Sequence, residues 1–376
     1  MRTNYHFGNS LTANCARDRL ILIFETFDYF AVSQTSMQKD GCECMATIKD
    51  IAKKLGISVS SVSKGLSGAS DVSEDTRQLI LNTALEMGYV SRRSKTDTNA
   101  RKVCIFVENM GYERIEQFGY EIIVGFRLAA TEKQWDVDIV PIAMDRHFDY
   151  DYEEYMTKNN YSAGFLLGFS LHNDFLKQLA RTSIPTVLLD NVVYNRYVAC
   201  VGIDNQQGIV CSVEHLAKLG HTAIAMMNGE MHSRVSQERL QGFKLGMSKC
   251  NLPIRKELIA HGDYTASCAA PYVQGFIENG ATAIVCASDL IAHGALAELY
   301  RLGIRVPESV SVIGFDDIPL ARYTTPPLTT IRQNRLTIGK SVCMAMEQIM
   351  EGNAISRLLL MPELVVREST GPVKLR

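Results

Sequence analysis

Several features that mark specialised proteins are missing from this sequence of 376 residues. Basic and acidic residues nearly balance, with a formal net charge of -2, so the chain as a whole has no electrostatic bias towards nucleic acid. The ten cysteines form no regular framework, because the one close pair, Cys42 and Cys44, has no second pair at metal-site spacing. This pattern indicates reduced thiols in a cytoplasmic protein.

Signals of catalysis are also missing. The sequence has no glycine-rich phosphate loop, no nucleophile elbow and no histidines at metal-ligand spacing. Its eight histidines are scattered, and we interpret His215 and His221 as helix-end or surface residues. The sequence therefore favours a protein that is not an enzyme and that needs no cofactor and no metal.

The N-terminal segment contains one apolar run, RLILIFETFDYFAV at 19–32. It resembles a signal-peptide core, but Glu25 and Asp28 interrupt it, it lacks a small-residue cleavage site, and it is too short to span a bilayer. Neither export nor membrane anchoring is expected. Because regular periodicity begins at Met45, we interpret residues 1–44 as an extension from a mis-assigned start.

Residues 45–90 predict a small all-helical domain. Thr47 and Asp50 form the pattern of a capping box before the amphipathic run IKDIAKKL, which Gly56 ends. Ser58 can cap a second, short helix, and a third helix is predicted from Ser73 to Gly88. Helical spacing predicts the following inward-facing residues: Ile48, Ile51, Ala52, Leu55, Val59, Val62, Leu66, Leu79, Ile80, Ala84 and Leu85.

This order of helices is typical of the helix-turn-helix, whose second helix lies in the DNA major groove. The outward positions of that helix hold Ser60, Ser61, Ser63 and Lys64. Short hydroxyl side chains let a helix approach the duplex closely and contact phosphates or base edges. A three-helix unit that binds another protein is the alternative, since the local excess of basic residues is modest.

The stretch TIKDIAKKLGISVSSVSKGLSGASDVSEDTRQLILNTALEMGYV resembles the DNA-binding head of the lactose and galactose repressor family. The resemblance implies that Val59 and Ser60 set operator preference and that Ser61 and Lys64 touch bases or nearby phosphates. It implies phosphate contacts for Thr47, Ser58, Ser63, Ser73 and Thr76. The sequence departs from the family in the hinge linker, 91–102, where Lys95 and Thr98 replace an alanine and the leucine that wedges into the minor groove.

Residues 103–370 alternate apolar strands with amphipathic helices. The strand candidates are near-continuous apolar runs, as buried parallel strands require: VCIFV, VDIVPIA, GFLLGF, TVLLD, AIAMMNG, AIVCAS and VSVIGFDD. Two doubly wound units are the natural arrangement. The expected fold class is therefore multidomain, with a small all-α helix-turn-helix head and a two-lobed α/β body.

Polar residues at the strand ends are the candidate ligand contacts, because ligands in such sheets bind at the carboxyl ends of the strands. Asp289 fits a simple helix cap. Asp190 and Asp316 follow strands of different units, and carboxylates that converge on a cleft suit the hydroxyl groups of a sugar. Arg239, which opens the helix RLQGFKLGM, could supply a fork of donors.

Roughly residues 45–370 resemble the same repressor family, on the segments GHTAIAMMNG, RLQGFK, RLGIRVPESVSVIGFDD, PPLTTIRQ and MPELVVREST. The resemblance implies a body of the periplasmic-binding-protein type that dimerises and binds an effector. It implies the following effector contacts: Phe118, Asp190, Arg239, Tyr264, Ser288 and Asp316. Phe118 and Tyr264 would stack on a pyranose-like ring.

We therefore expect a ligand-responsive regulator that represses genes for carbohydrate uptake or breakdown. Its expected partners are near-palindromic double-stranded operator DNA, a second copy of the chain, and a sugar or sugar derivative as effector. The alternative is a sugar-binding solute-binding protein without a regulatory role. The missing export signal and the helical head argue against that alternative.

Overall fold

The computed structural model describes residues 47–67, 72–87, 101–142, 151–169 and 174–374. Their contacts divide into two units, a helical head and a larger α/β body. The predictions for residues 1–44, for Gly88 and for the hinge positions Lys95 and Thr98 lie outside the described residues. None of the described helices is both long enough and apolar enough to cross a membrane.

The head contains three helices, α1 (Ile48–Leu55), α2 (Val59–Ser67) and α3 (Glu74–Glu86). The predicted capping box is confirmed, since the Thr47 backbone N–H and hydroxyl donate to Asp50 Oδ2 at 2.8 and 2.6 Å and the Asp50 N–H donates to Thr47 Oγ1 at 3.4 Å. Gly56 ends α1 with a φ of 66°, a left-handed conformation that favours glycine.

The head core contains Ile51, Ala52, Val62, Ile80 and Ala84, all buried as predicted. Two inward predictions are wrong, because Val59 is 46% exposed and Leu79 is 55% exposed. In α2 the buried stripe runs through Val62 and Gly65, whose backbone lies directly against Ile80. In α3 it runs through Ile80, Thr83 and Ala84, so Leu79, one residue earlier, points to solvent. The Leu85 side chain lies outside the described part.

The first lobe of the body is built on a six-stranded sheet in which all strands are parallel. In spatial order its strands are β11 (Arg357–Leu360), β5 (Val198–Ile203), β4 (Thr186–Leu189), β3 (Ala163–Leu167), β1 (Lys102–Val107) and β2 (Asp136–Pro141). Its helices are α4 (Phe118–Glu132), α5 (Tyr152–Lys158), α6 (Asp174–Leu179) and α11 (Arg335–Met350).

The second lobe has a sheet of the same size, parallel except for one edge strand that runs antiparallel to its neighbour. In spatial order its strands are β12 (Glu363–Val365), β10 (Thr329–Arg332), β9 (Ser311–Asp316), β8 (Ala283–Cys286), β6 (Ile224–Asn228) and β7 (Ile259–His261). Its α-helices are α7 (Asn205–Lys218), α8 (Arg234–Lys249), α9 (Ala270–Glu278) and α10 (Asp289–Arg301), and short 3-10 turns cover Lys256–Leu258, Ala266–Ala269 and Pro319–Arg322.

All seven strands predicted from apolar runs are present, and five were missed. Among the described strands, the missed β5 is fully buried, and the other four have three or four residues each. Two predicted strands, β4 and β8, are equally short but consist of buried residues throughout. The chain passes between the lobes three times, after β5, after β10 and after β11. Helix α11 therefore packs on α4 of the first lobe, where Gly125 and Gly339 allow the two backbones to touch.

His221 fixes the C-terminal segment to the second lobe. It is 2% exposed and lies just past the C-terminal end of α7, so of the two predicted alternatives it is a helix-end residue and not a surface residue. Its Nε2–H donates to the carbonyl oxygen of Gly371 at 3.0 Å, and its Nδ1 shares a hydrogen bond of 2.9 Å with the Thr282 hydroxyl. Burial lowers the pKa of His221, although the Gly371 carbonyl opposes this effect.

We expect His221 to make the body less stable in acid. Its folded-state pKa lies below the unfolded value of about 6.5, so the unfolded chain binds the proton more tightly and stability falls as the pH drops below about 6.5. Urea unfolding of the wild type and of His221→Gln at about pH 7.5 and about pH 5.5 measures this effect. The variant should lose less stability between the two pH values, and an equal loss would contradict the assignment.

Candidate functional site

The exposed face of α2 carries the residues predicted to contact DNA. Val59, Ser60, Ser63 and Lys64 are exposed, and Ser61 is half-buried. Because Val59 faces solvent and not the core, its position agrees with the contact role implied by the resemblance and disagrees with its predicted place in the core. The face combines one apolar, two hydroxyl and one cationic side chain, a set that suits the methyl, base-edge and phosphate surfaces of a major groove.

Three of the residues predicted to bind phosphate begin the three head helices. Thr47 caps α1, the Ser58 hydroxyl accepts from the Ser61 N–H at 2.9 Å, and the Ser73 hydroxyl accepts from the Thr76 N–H at 3.3 Å. The side-chain hydroxyls within the last two pairs lie 2.8 Å apart. Helix N-termini attract anions through their free N–H groups and the helix dipole. The cap at Ser58 therefore places the positive end of α2 next to the exposed residues that begin the same helix.

In the body, the predicted effector residues lie at ends of strands and helices of both lobes. Asp190 follows β4 and Phe118 begins α4 in the first lobe. The second lobe supplies the other four: Arg239 on α8, Tyr264 after β7, Ser288 before α10 and Asp316 at the end of β9. Asp190 and Asp316 have positive φ angles of 57° and 120°. Such angles are uncommon for aspartate and are typical of functional sites.

Arg239 is the centre of this group, and it is only 3% exposed. It lies in the second turn of α8, since that helix begins at Arg234 with Ser233 as its cap, so the prediction that Arg239 opens the helix is wrong. Its Nε–H donates to Asn205 Oδ1 at 2.9 Å and its Nη1 donates to the carbonyl oxygen of Ala287. Its guanidinium carbon lies 3.7 Å from the ring centroid of Phe315.

The guanidinium forms an ion pair with one carboxyl group, and its charge acts on a second. Asp316 Oδ1 lies 3.7 Å from Arg239 Nη2 and accepts a hydrogen bond of 2.7 Å from Gln333 Nε2. Burial raises the pKa of Asp316, although Arg239 opposes this effect. Burial also raises the pKa of Asp190 to about 7; the Arg239 charge opposes it, and the carboxylates of Glu238 and Asp316 add to it.

Phe118 joins the group through a residue that the sequence analysis missed. Arg335, 5% exposed, lies with its guanidinium carbon 5.8 Å from the Phe118 ring centroid. It donates to the main-chain oxygen of Asp316 at 3.1 Å and forms an ion pair of 2.7 Å with Glu121 on α4. Arg335 therefore connects the ring and helix of the first lobe to the end of β9 in the second lobe.

Tyr264 and Ser288 flank the Arg239 helix and the carbonyl to which Arg239 donates. The Tyr264 hydroxyl lies 2.7 Å from Ser236 Oγ on α8, and its ring packs over Gly229. Ser288 follows Ala287 and caps α10, accepting from the Ile291 N–H at 3.2 Å. Both residues therefore lie next to the immediate surroundings of Arg239.

Asp289 is not the cap that the sequence analysis expected. Because Ser288 already caps α10, the Asp289 carboxylate points into the lobe, where it accepts from Thr330 Oγ1 at 2.5 Å and from the Ile318 N–H at 2.9 Å. Burial raises the pKa of Asp289 well above the usual range, and the Asp316 charge adds to this effect. Asp289 therefore supports the loop that follows Asp316.

The sequence analysis also missed Asn205 and Gln333. Asn205 follows β5 after one residue and Gln333 directly follows β10, but neither strand was predicted, so a search for polar residues at strand ends could not reach them. The Asn205 amide joins the Arg239 Nε–H to Glu238, to which its Nδ2 donates at 3.1 Å. Gln333 Oε1 is buried without a hydrogen-bond partner among the described residues.

Comparisons with known proteins agree with this architecture. The family described as bacterial regulatory proteins, lacI family, matches residues 47–91, and the periplasmic binding protein-like domain matches residues 213–370. The HTH-type transcriptional repressor CytR of Escherichia coli (strain K12) is 30% identical over 336 residues, which cover 87% of this chain and 97% of CytR. The chain belongs to the lacI family. It is a DNA-binding transcriptional regulator, and the alternative of a solute-binding protein without a regulatory role is not supported.

The chain is similar to other lacI-family regulators over most of its length. The HTH-type transcriptional repressor PurR of Vibrio vulnificus (strain CMCP6) is 29% identical over 86% of this chain and 98% of its own length. The solved complex of the transcriptional regulator CelR with cellobiose has a TM-score of 0.65 and is 26% identical, covering 86% of this chain and 99% of CelR. The predicted fold class, a helix-turn-helix head and a two-sheet α/β body, is confirmed.

The electrostatics of Asp190 lead to a stability prediction. Its folded-state pKa of about 7 lies above the unfolded value of about 3.9, so the folded protein loses stability as the pH rises from about 4 to about 7. Asp190→Asn cannot ionise and should be more stable than the wild type above pH 7. We expect at least about 1 kcal/mol, or about 2 °C in melting temperature.

Thermal unfolding without added ligand at about pH 5 and about pH 8 measures this difference. The advantage of Asp190→Asn should grow between the two pH values, because the wild-type carboxyl is still mostly protonated at the lower one. A variant that is no more stable than the wild type at pH 8 would contradict the raised pKa.

Proposed function

We propose that this regulator represses genes for carbohydrate uptake or breakdown and that a sugar or sugar derivative bound between the lobes controls it. The observation that carries the proposal is the ion pair of 3.7 Å between Asp316 and the buried Arg239, whose charge also acts on Asp190 of the first lobe. Carboxylates accept from hydroxyl groups and a guanidinium donates to them, so the three groups together suit vicinal hydroxyls. The cellobiose bound to the related CelR supports a saccharide ligand.

Each predicted contact receives a role in this proposal. Asp190 accepts from the ligand on the side of the first lobe, and Asp316 and Arg239 bind it on the side of the second. Phe118 and Tyr264 stack on the ring, and Ser288 contacts a further hydroxyl. Because the contacts come from both lobes, a ligand can reach all of them only when the cleft is closed, so binding selects one lobe arrangement.

The DNA-bound form is proposed to be a homodimer in the cytoplasm on a near-palindromic operator. A helix-turn-helix reads a short half-site, and two half-sites about one helical turn apart require two heads at matching spacing. A shift of one lobe against the other then changes the spacing of the heads, with a coupling of about 1–3 kcal/mol if it is typical. The roles of Thr47, Ser58, Ser61, Ser63, Ser73, Thr76 and Lys64 in binding the duplex belong to this proposal.

Ser60→Leu tests the DNA contact surface. Ser60 is exposed on α2, and a longer apolar side chain there prevents the close approach of the helix to the bases. Specific binding should weaken by about 1–3 kcal/mol, measured by titrating DNA selected from a random pool by the wild-type protein at fixed salt. Leu79→Ala, which changes an exposed residue of α3, is the control and should bind normally. Undiminished binding by Ser60→Leu would remove α2 from the interface.

Asp316→Asn tests the cleft. The amide keeps the shape of the carboxyl group but loses the charge that faces Arg239, so binding of a saccharide should fall at least about tenfold while DNA affinity without ligand stays the same. Calorimetry with mono- and disaccharides, including cellobiose, gives the affinities. Glu257→Gln, at an exposed surface pair with Arg255, is the matched control. If Asp316→Asn binds the saccharide at full strength, the site lies elsewhere.

A further inference from the structure

A second pocket lies where the two lobes join, and none of the six predicted effector residues lines it. Its volume is about 290 Å³, and we call it the joint pocket. The first lobe contributes Arg357 and Leu359 on β11. The second contributes the start of α7 and one side of α8. Its remaining lining residues are Asp204, Asn205, Gln206, Arg234, Gln237, Glu238 and Gln241.

The charged groups of the joint pocket are paired around one carboxylate. Glu238 Oε1 lies 3.1 Å from Arg234 Nη2 and 3.1 Å from Arg357 Nη2, and Glu238 Oε2 accepts from Asn205 Nδ2 at 3.1 Å. The Arg357 contact joins a strand of the first lobe to a helix of the second. Asp204 is engaged as the cap of α7, where it accepts from the Gln207 N–H at 2.9 Å. The carboxylate acceptors of the pocket are therefore engaged.

Its donors, by contrast, have spare capacity. Each arginine carries five N–H donors, and Arg234 Nε is buried without a hydrogen-bond partner among the described residues. The amide groups of Gln206, Gln237 and Gln241 form no hydrogen bond with the described part of the chain through their side chains, so their N–H groups are available as well. A ligand that uses the arginine donors, which can only donate, has to bring several acceptor oxygens.

We propose that the joint pocket binds a small phosphate-bearing ligand. A phosphate has three strong acceptor oxygens, where a carboxylate has two, and arginine binds it through two parallel hydrogen bonds. A volume of about 290 Å³ accommodates a phosphate with a small organic group. Because two arginines balance Glu238 and Asp204, the arriving anion competes with Glu238 for the arginines.

A ligand in the joint pocket would affect Arg239 in the cleft through the side-chain amide of Asn205. Glu238 is bonded to Asn205 Nδ2, and Asn205 Oδ1 is bonded to the Arg239 Nε–H. When the anion takes the arginines from Glu238, the Asn205 side chain and the guanidinium beyond it lose part of their support. This consequence rests on the proposed role of Arg239 in effector binding, whereas phosphate binding by the joint pocket does not.

Calorimetry on the full chain at fixed ionic strength, with inorganic phosphate, glycerol 3-phosphate and succinate, tests the proposal. Equal affinity for the first two probes identifies free phosphate as the ligand, and tighter binding of the ester identifies a phosphorylated metabolite. Tighter binding of succinate than of either phosphate would overturn the proposal, and so would an absence of saturable phosphate binding.

Two substitutions with opposite expected effects on phosphate affinity make the test more specific. Arg357→Gln should weaken binding of the better phosphate probe about tenfold, because a charged donor pair is lost. Glu238→Gln should strengthen it, because the competing carboxylate is gone while both arginines remain. Arg255→Gln, at an exposed ion pair, is the matched control and should change nothing. If Arg357→Gln does not fold, the Glu238→Gln measurement is the remaining test. Phosphate binding by Glu238→Gln that is unchanged or weaker than in the wild type would refute the site.

Discussion

A guanidinium buried at the junction of two lobes is the constraint on which the body depends. An arginine that is 3% exposed is tolerated only when its N–H groups and its charge are matched, because an unpaired buried charge is strongly destabilising. Arg239 finds its partners on separate stretches of chain, at Asn205, Ala287, Phe315 and Asp316. Folding of the second lobe therefore also assembles the part of the candidate site that surrounds Arg239.

The three passages between the lobes extend this dependence to the first lobe. The second passage returns the chain to the first lobe, which places Arg335 and Arg357 on first-lobe elements, and these residues bond to Asp316 and Glu238 of the second lobe. These two arginine bonds are polar side-chain contacts between the lobes, not burial of apolar surface. Such bonds can be exchanged for ligand contacts or water at small net free energy, whereas a shared apolar core could not open without exposing itself. Such exchangeable bonds are what the proposed closure of the cleft requires.

Much of this architecture could be predicted from local pattern. The capping box at Thr47 and the apolar runs of the seven predicted strands are signals contained in a few residues. Val59 and Leu79 were misplaced because a helix face is decided by the packing of its neighbours, here the approach of Gly65 to Ile80. Arg335 and Asn205 were missed because their importance comes from partners more than 18 residues away. Spacing along the chain carries no information about such partners.

The residues proposed to bind ligands are already bonded to each other. Ser58 pairs with Ser61 and Ser73 with Thr76 in the head, and Asp316 pairs with Gln333 in the body. A ligand therefore exchanges an internal hydrogen bond for an external one, and the net gain per contact is small compared with the strength of either bond. The same exchange keeps the polar groups satisfied when no ligand is bound. A regulator needs this balance, because a site that bound its ligand irreversibly, or that collapsed without it, could not report a changing concentration.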